Sequence, residues 1–244
     1  MKSPYGLDII ENCLSCNLKD HYLFCNLPKP ASEMMESICS TAFYPKDAVL
    51  FVEGQNAGGV FILCQGRAKL STSSAGGKTF ILRIATAGDV LGLSSTVSGR
   101  PYDVTAEIIE PSQVNHISRP DFLRFISNNG DVALRVAQQL SNNYHQACVE
   151  IRSLSLSQNA AEKLARLLLE WSAGKGEHTI QKEGNSVKLR MTLTHEEIAQ
   201  LIGTSRETVT RMMSSLKKKK LIEVNGSTLV VRDRMLLEQM VDGQ

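Results

Sequence analysis

Residues 193–221, LTHEEIAQLIGTSRETVTRMMSSLKKKKL, carry the clearest chemistry in the chain. Thr194 is a helix-capping residue, followed by Glu196 and Glu197, which sit well at the positive end of a helix dipole. Ile198, Leu201 and Ile202 form an apolar stripe at helical spacing, and Gly203 supplies a turn. Ser205 then caps a second helix in which Val209, Met212, Met213 and Leu216 face inward. Arg206, Glu207, Thr210 and Arg211 are left for the other side. Arginine grips guanine bidentately and a carboxylate accepts from cytosine N4, so this polar face suits base edges in a DNA major groove. Lys217 to Lys220 follow directly, a local positive field in a chain whose formal net charge is only +2. The predicted DNA-contacting set is Thr194, Ser205, Arg206, Glu207, Thr208, Thr210, Arg211 and Lys217. The plainer readings are a solvated charged helix face and a lysine run favoured by the dipole.

A second constellation lies near the start: Cys13-Leu-Ser-Cys16, then eight residues, then Cys25. Three cysteines so spaced can hold a soft metal centre. A fourth ligand is not apparent, and Cys39, Cys64, Cys148, His21 and His116 are the substitutes. Zinc held by the trio with His21 is an alternative to an iron–sulfur cluster. Cys39, on a helical apolar face, and Cys64, within a strand, read as core residues. Cys148 reads first as a seam thiol and second as a redox group. With no export pattern at the N-terminus, disulfide pairing of the six cysteines is not expected.

Around these sites the chain is long enough, at 244 residues, for two cores. The pattern divides the chain into a cysteine-bearing segment at 1–28, a strand-rich region at 29–130, a long helix at 131–157 and a region at 158–244 that carries the DNA-reading motif. Within 32–40, Met34, Met35, Ile38 and Cys39 share one helical side. From Phe43 to Ile117 come the strand-like runs AVLFVEG, VFILCQG, AKLSTSS, TFILRIA, VTAEIIE and QVNHIS, separated by glycine-rich turns. Val136, Leu140, Tyr144, Ala147, Ile151 and Leu154 then recur at near-heptad spacing, which suits pairing with a second copy or packing on the chain's own strands. Residues 160–171 form an amphipathic helix, 172–185 an exposed connection, and Asn225-Gly226 turns a hairpin that would make the wing of a winged helix. No apolar run is long enough to span a membrane, so a cytoplasmic protein is expected. No Walker A loop, nucleophile elbow or HExxH pattern supports an enzyme.

Thr204 to Arg211, TSRETVTR, closely resembles the recognition helix of the Crp/Fnr superfamily. Phe61–Gly66, Ala87–Gly92 and Asn225–Val230 resemble its roll strands, roll turn and wing, in the expected order. The resemblance implies an α+β protein: an N-terminal double-stranded β-roll of the cyclic-nucleotide-binding kind, a long dimerisation helix and a C-terminal winged helix-turn-helix. It implies a homodimer on a palindromic operator, working with RNA polymerase. The half-site would be TGTGA-like from Arg206, Glu207 and Arg211, or TTGAT-like because Thr210 departs from the first pattern. Cys13, Cys16 and Cys25 resemble the cysteine cluster that binds a [4Fe–4S] centre in Fnr-type members. Asn115, however, stands where that pattern has its last cysteine. In the nucleotide cassette of other members a glutamate follows the Gly88-Asp-Val-Leu-Gly92 turn, and an Arg-Ser pair comes later. Here Leu93 replaces the glutamate and Tyr102-Asp103 the pair. A cyclic nucleotide, or a haem, in a pocket of Gly92, Leu93, Arg100, Tyr102, Asp103 and Cys148 is therefore a lesser alternative. A winged helix that docks on protein without DNA is another.

Overall fold

The computed structural model describes residues 4–10, 13, 16, 25–156, 159–173, 179–183 and 186–242. Two compact units divide the chain, residues 1–146 and 147–244.

In the first unit, α1 (Lys29–Ile38) starts with Pro30 in its first turn, where a missing N–H costs nothing, and ends at Cys39. Ala31, Ser32 and Met35 form its buried side. Met34 is 44 % exposed, so the expected four-residue face is rotated by about one position. Six strands follow: β1 (Ser40–Tyr44), β2 (Val49–Phe51), β3 (Gly59–Ser73), β4 (Thr79–Ala85), β5 (Val90–Leu91) and β6 (Thr105–Ser118). They form one antiparallel sheet in the order β1-β6-β3-β4, with β2 also on β6 and β5 also on β3. A short helix, α2 (Leu93–Ser98), separates β5 from β6.

Two of the expected strand breaks do not exist. VFILCQG and AKLSTSS are one strand, β3, and VTAEIIE and QVNHIS are one strand, β6. The sheet bends at these points instead of ending. The β3–β6 register shifts between Leu63 and Gln65, between Gln65 and Arg67, and between Arg67 and Ala68. Gly66 sits at φ +89, where a Cβ would collide with the Ser112 hydroxyl and the Pro111 carbonyl. Pro111, which cannot donate to a ladder, is tolerated at such a bulge. The bend lets the Ser112–His116 end of β6 pair with β1 while its Ala106–Glu107 end pairs with β2. This makes the roll.

The roll has two apolar clusters, one on each side of the sheet. Phe51, Leu63, Leu70, Leu91, Tyr102, Ile108 and Val114 fill the interior. Val60, Ile62 and Ile117 face helices instead, meeting Leu27, Met35, and Phe122 and Phe125 of α3 (Arg119–Asn128). Val132 and Val136, from the first turns of α4 (Gly130–Leu156), join this second cluster. Successive residues of a strand point to opposite faces, and this alternation sorts the two clusters.

In the second unit, α5 (Ala160–Ser172) is capped by Asn159, whose side chain accepts from Ala161 and Glu162 N–H groups. Residues 172–185 were expected to be an exposed connection, yet they contain β7 (Thr179–Glu183). This strand pairs with β8 (Ser186–Arg190) in a four-stranded sheet, β7-β8-β10-β9, with β9 (Ile222–Asn225) and β10 (Thr228–Val231) as the anticipated hairpin. Between the two hairpins lie α6 (His195–Ile202) and α7 (Arg206–Lys218), and α8 (Arg234–Asp242) follows. Among the described residues no helix is long and apolar enough to cross a membrane.

Candidate nucleic-acid interface and cysteine cluster

The helix-turn-helix is held by reciprocal local bonds. Thr194 Oγ1 accepts from Glu197 N–H at 3.2 Å, and Glu197 Oε2 accepts from Thr194 N–H at 2.7 Å, a complete capping box. Gly203, at φ 69, ends α6 in the left-handed region. Two residues on, Ser205 caps α7 by accepting from Thr208 N–H at 3.3 Å. Ile198, Ala199 and Ile202 of α6 are buried with Val209, Met213 and Leu216 of α7. Leu201 and Met212, both expected inside, are half-buried, and Ala199 takes the place of the former.

Arg206, Glu207, Thr210, Arg211 and Lys217 are exposed along α7, as expected from the sequence, with Thr208 half-buried. The Glu207 carboxyl is held below its usual range, first by its own backbone N–H, then by the Ser205 hydroxyl, with the Arg206 charge adding to this. Arg211 donates to Thr208 Oγ1 at 3.4 Å. One partner escaped the sequence reading. His195 Nδ1 lies 2.9 Å from Thr210 Oγ1, tying the start of α6 to the middle of α7. The His195 ring is kept below its usual pKa by burial first, then by the Lys217 and Arg206 charges. Its only signal in the sequence was a histidine in the first turn of the first helix.

The α4 stripe divides in two. Val136 is 4 % exposed and Leu140 is partly buried, both packed on the chain's own roll cluster. The Val136 side chain is taken up by the roll and is not left for a seam, a correction to that residue, while Leu140 gives the roll only part of its surface. Tyr144 and Ile151, 73 % and 63 % exposed, and Ala147, also exposed, leave an open apolar face farther along the helix. The Leu154 side chain lies outside those described.

Of the residues named for an effector pocket, Leu93 and Tyr102 are buried in the roll. Tyr102 stacks on Phe51 with ring centroids 4.0 Å apart. Its hydroxyl donates to Gly59 O at 2.7 Å and accepts from the Gly58 and Gly59 N–H groups, both at 3.1 Å. Gly92 lets the ring approach, since a Cβ there would stand 2.7 Å from Tyr102 Cε1. Tyr102 is thus part of the roll's own wall. Arg100 and Asp103 are exposed, and Asp103 accepts from Ser95 Oγ at 3.4 Å. Cys148 is half-buried on the part of α4 that belongs to the second unit.

Cys13 lies against the helix-facing side of the sheet. Ile10 is clamped to Gln113 of β6 by two bonds, N–H to Oε1 at 2.9 Å and Nε2–H to O at 2.7 Å. Asn115 Nδ2, two residues along the same face, lies 3.9 Å from Cys13 Sγ. Cys13, Cys39 and Cys64 all pack against the cluster that holds Val132 and Val136. Burial raises the Cys13 thiol, with Glu36 and Cys16 adding to it. It pushes Cys25 up to about 12, helped by Cys16 and Cys13, and Cys39 up to about 12, helped by Cys13 and Glu36. Cys64 is raised by burial first, then by the fields of Cys13, Cys25, Cys16 and Cys39. Among the described residues no three His, Cys, Asp or Glu side chains already converge to metal-binding spacing. His21 lies outside the described residues. His116 sits on the opposite face, its ring 4.7 Å from that of Phe61, and burial lowers its pKa.

A β-roll followed along the chain by a long helix and a winged helix-turn-helix defines a class, the two-domain transcription regulator. Residues 41–129 match the cyclic nucleotide-binding domain family, and residues 162–240 match the Crp-like helix-turn-helix domain family. The chain belongs to the Crp/Fnr superfamily of transcription regulators, with a DNA-binding helix-turn-helix. It is 25 % identical over 226 residues to the cyclic AMP receptor protein of Thermus thermophilus, covering 93 % of this chain and 99 % of that one. It is 24 % identical over 200 residues to the anaerobic regulatory protein of Bacillus subtilis, covering 82 % of each. The structure of FixK2 from Bradyrhizobium japonicum shares the fold, with a TM-score of 0.71 at 22 % identity, over 83 % of this chain and 97 % of that one.

Proposed function

We propose that this chain acts in the cytoplasm as a homodimer on a palindromic operator and governs transcription with RNA polymerase. Its sensing segment (1–28), roll (29–130), pairing helix (131–157) and winged helix (158–244) divide the work. The observation that carries this reading is the capped α7 with its exposed Arg206, Glu207 and Arg211. Thr194, Ser205, Thr208, Thr210 and Lys217 surround that trio and add hydroxyls and charge for the phosphates. The trio favours a TGTGA-like half-site, with a TTGAT-like one second. Enrichment of operators from a pool of random duplexes tests this. A palindrome with half-sites about 34 Å apart, one helical turn, is the expected product; a single asymmetric motif, or none, contradicts it.

The signal enters through a centre held by Cys13, Cys16 and Cys25, as a [4Fe–4S] cluster or zinc. Support comes from the placement of Cys13 against the same apolar cluster as Val132 and Val136 of α4. A second reading, a cyclic nucleotide in the roll, is favoured by the domain match over 41–129. Against it, Leu93 stands buried in the place of a ribose-holding glutamate, and Asp103 offers a negative charge where a phosphate would sit. Anaerobic purification with iron, sulfide and zinc assays, beside calorimetry with cyclic AMP, separates the two. Thiol-bound metal with no nucleotide heat supports the first reading, and the converse supports the second.

A further inference from the structure

The fourth ligand of the cysteine centre is missing where the Fnr-type pattern puts it. That position is Asn115 on β6, and its amide is directed at Cys13 Sγ. The neighbouring strand supplies a thiol nearby. In the β3–β6 ladder Ile62 lies opposite Asn115 and Leu63 opposite Val114, whereas Gln65 is opposite Gln113. Cys64 therefore occupies the extra position at the bend, beside the two β6 residues, Gln113 and Asn115, that touch the N-terminal segment at Ile10 and Cys13. A bulge is a place where a strand re-aims a side chain. Cys64 Sγ donates a weak bond to Ile62 O at 3.7 Å, and it packs on the same cluster as Cys13. Its thiol is also the one whose surroundings include all three of Cys13, Cys16 and Cys25.

We propose that Cys64 is the fourth ligand of a four-thiolate site completed by Cys13, Cys16 and Cys25, which takes zinc or an iron–sulfur cluster. The proposal rests on the reading that the N-terminal trio holds a metal centre. Four sulfur donors are the usual closed set for either metal form. Among the described residues no three such side chains stand at metal-binding spacing, so binding would draw Cys13, Cys16 and Cys25 toward Cys64. Each thiol would lose its proton as the metal binds. Cys64 is favoured over Cys39 by its place at the bend beside Gln113 and Asn115, and the fields of all three trio thiols reach it. The site then gains a route to the rest of the molecule. The cluster beneath Cys13 and Cys64 contains Val132 and Val136 of α4, and Leu140 packs on it. Loss of metal would loosen the packing of the helix that leads out of the sensor unit.

Full-length protein purified without oxygen provides the test. Metal content is measured for the wild type, Cys64→Ser, Cys64→Ala and Cys39→Ser. Cys64 variants should lose metal affinity by more than the 10–100-fold that a mere supporting partner costs, while Cys39→Ser keeps the wild-type content. Alkylation of the wild type before and after chelation, read by mass spectrometry, covers the case in which the Cys64 variants fail to fold. Cys13, Cys16, Cys25 and Cys64 should be labelled only once the metal is gone, and Cys39 equally in both states. If metal removal exposes the trio and leaves Cys64 labelling unchanged, Cys64 is not a ligand and the trio's centre stands. If the wild type holds no metal as purified or after supply of zinc, or of iron with sulfide, both the trio reading and this proposal fall.

Discussion

At the scale of residues, the helix-turn-helix was legible because each of its signals is local. A cap, carboxylates in the first turn and a glycine at the turn act within one or two turns of chain. They reappear as the Thr194–Glu197 box and the left-handed Gly203. Thr194→Ala should cost about 0.5–2 kcal/mol of stability, read as a lower Tm with the same fold. No change would mean that the box is redundant. Arg206→Ala should cost about 1–3 kcal/mol on the selected operator and relax discrimination at one guanine; equal losses on operator and random duplex would make Arg206 a phosphate contact only. What the pattern did not contain was the His195–Thr210 bond, since its partners are fifteen positions apart and meet through the angle of the turn. This pair gives a pH effect of defined sign. Because the folded pKa lies below the ordinary 6.5 or so, the unfolded chain takes the proton first. Stability is therefore full above that value and falls as pH drops from it toward the folded pKa. Melting curves between pH 7.5 and 5 should show wild type losing more than His195→Gln, and parallel losses would remove His195 from the account.

At the scale of elements, sequence period identified the roll and the long helix but misjudged where they break and what they face. Gly66 and Pro111-Ser112 look like turns in one dimension. In the sheet they are opposite one another, and the bend is shared by two continuous strands. β7 was missed because a Gly/Lys/Glu-rich run has no alternation to show, and its pairing comes from β8. The α4 stripe is a mixed case. One periodicity serves two neighbours, with Val136 and Leu140 on the roll and Tyr144, Ala147 and Ile151 open. The two halves should respond differently. Ile151→Glu and Tyr144→Glu should weaken dimers and operator binding together by setting a charge into an apolar seam, with the roll's Tm unchanged. Val136→Ala should instead lower that Tm, at a cost of about 1–3 kcal/mol, by opening a space in the roll cluster. Sedimentation of both sets at micromolar concentration decides; a fully dimeric Ile151→Glu would place the seam elsewhere.

At the scale of the whole molecule, the order of a cysteine-bearing segment, roll, long helix and winged helix could be read from the chain. The chemistry of the signal could not, because three cysteines fix a preference for soft metals and no more. The fourth position depends on which strands neighbour β6, and only the fold supplies that. A metal-dependent switch must bind one arrangement of the dimer more tightly than the other. Cys16→Ser should therefore abolish metal content and make operator binding insensitive to oxidants while leaving the winged helix folded. Wild-type metal content and response in that variant would make the segment structural. The central claim, that this is a sequence-specific DNA regulator, is tested most directly by the affinity of the reduced full-length protein for the selected palindrome and for a scrambled duplex at 50 and 200 mM salt, readable by fluorescence anisotropy. The account predicts a preference of about a thousandfold or more for the palindrome, with affinity for both duplexes falling steeply as salt rises. Equal affinity for the two duplexes, or binding indifferent to salt, would contradict it.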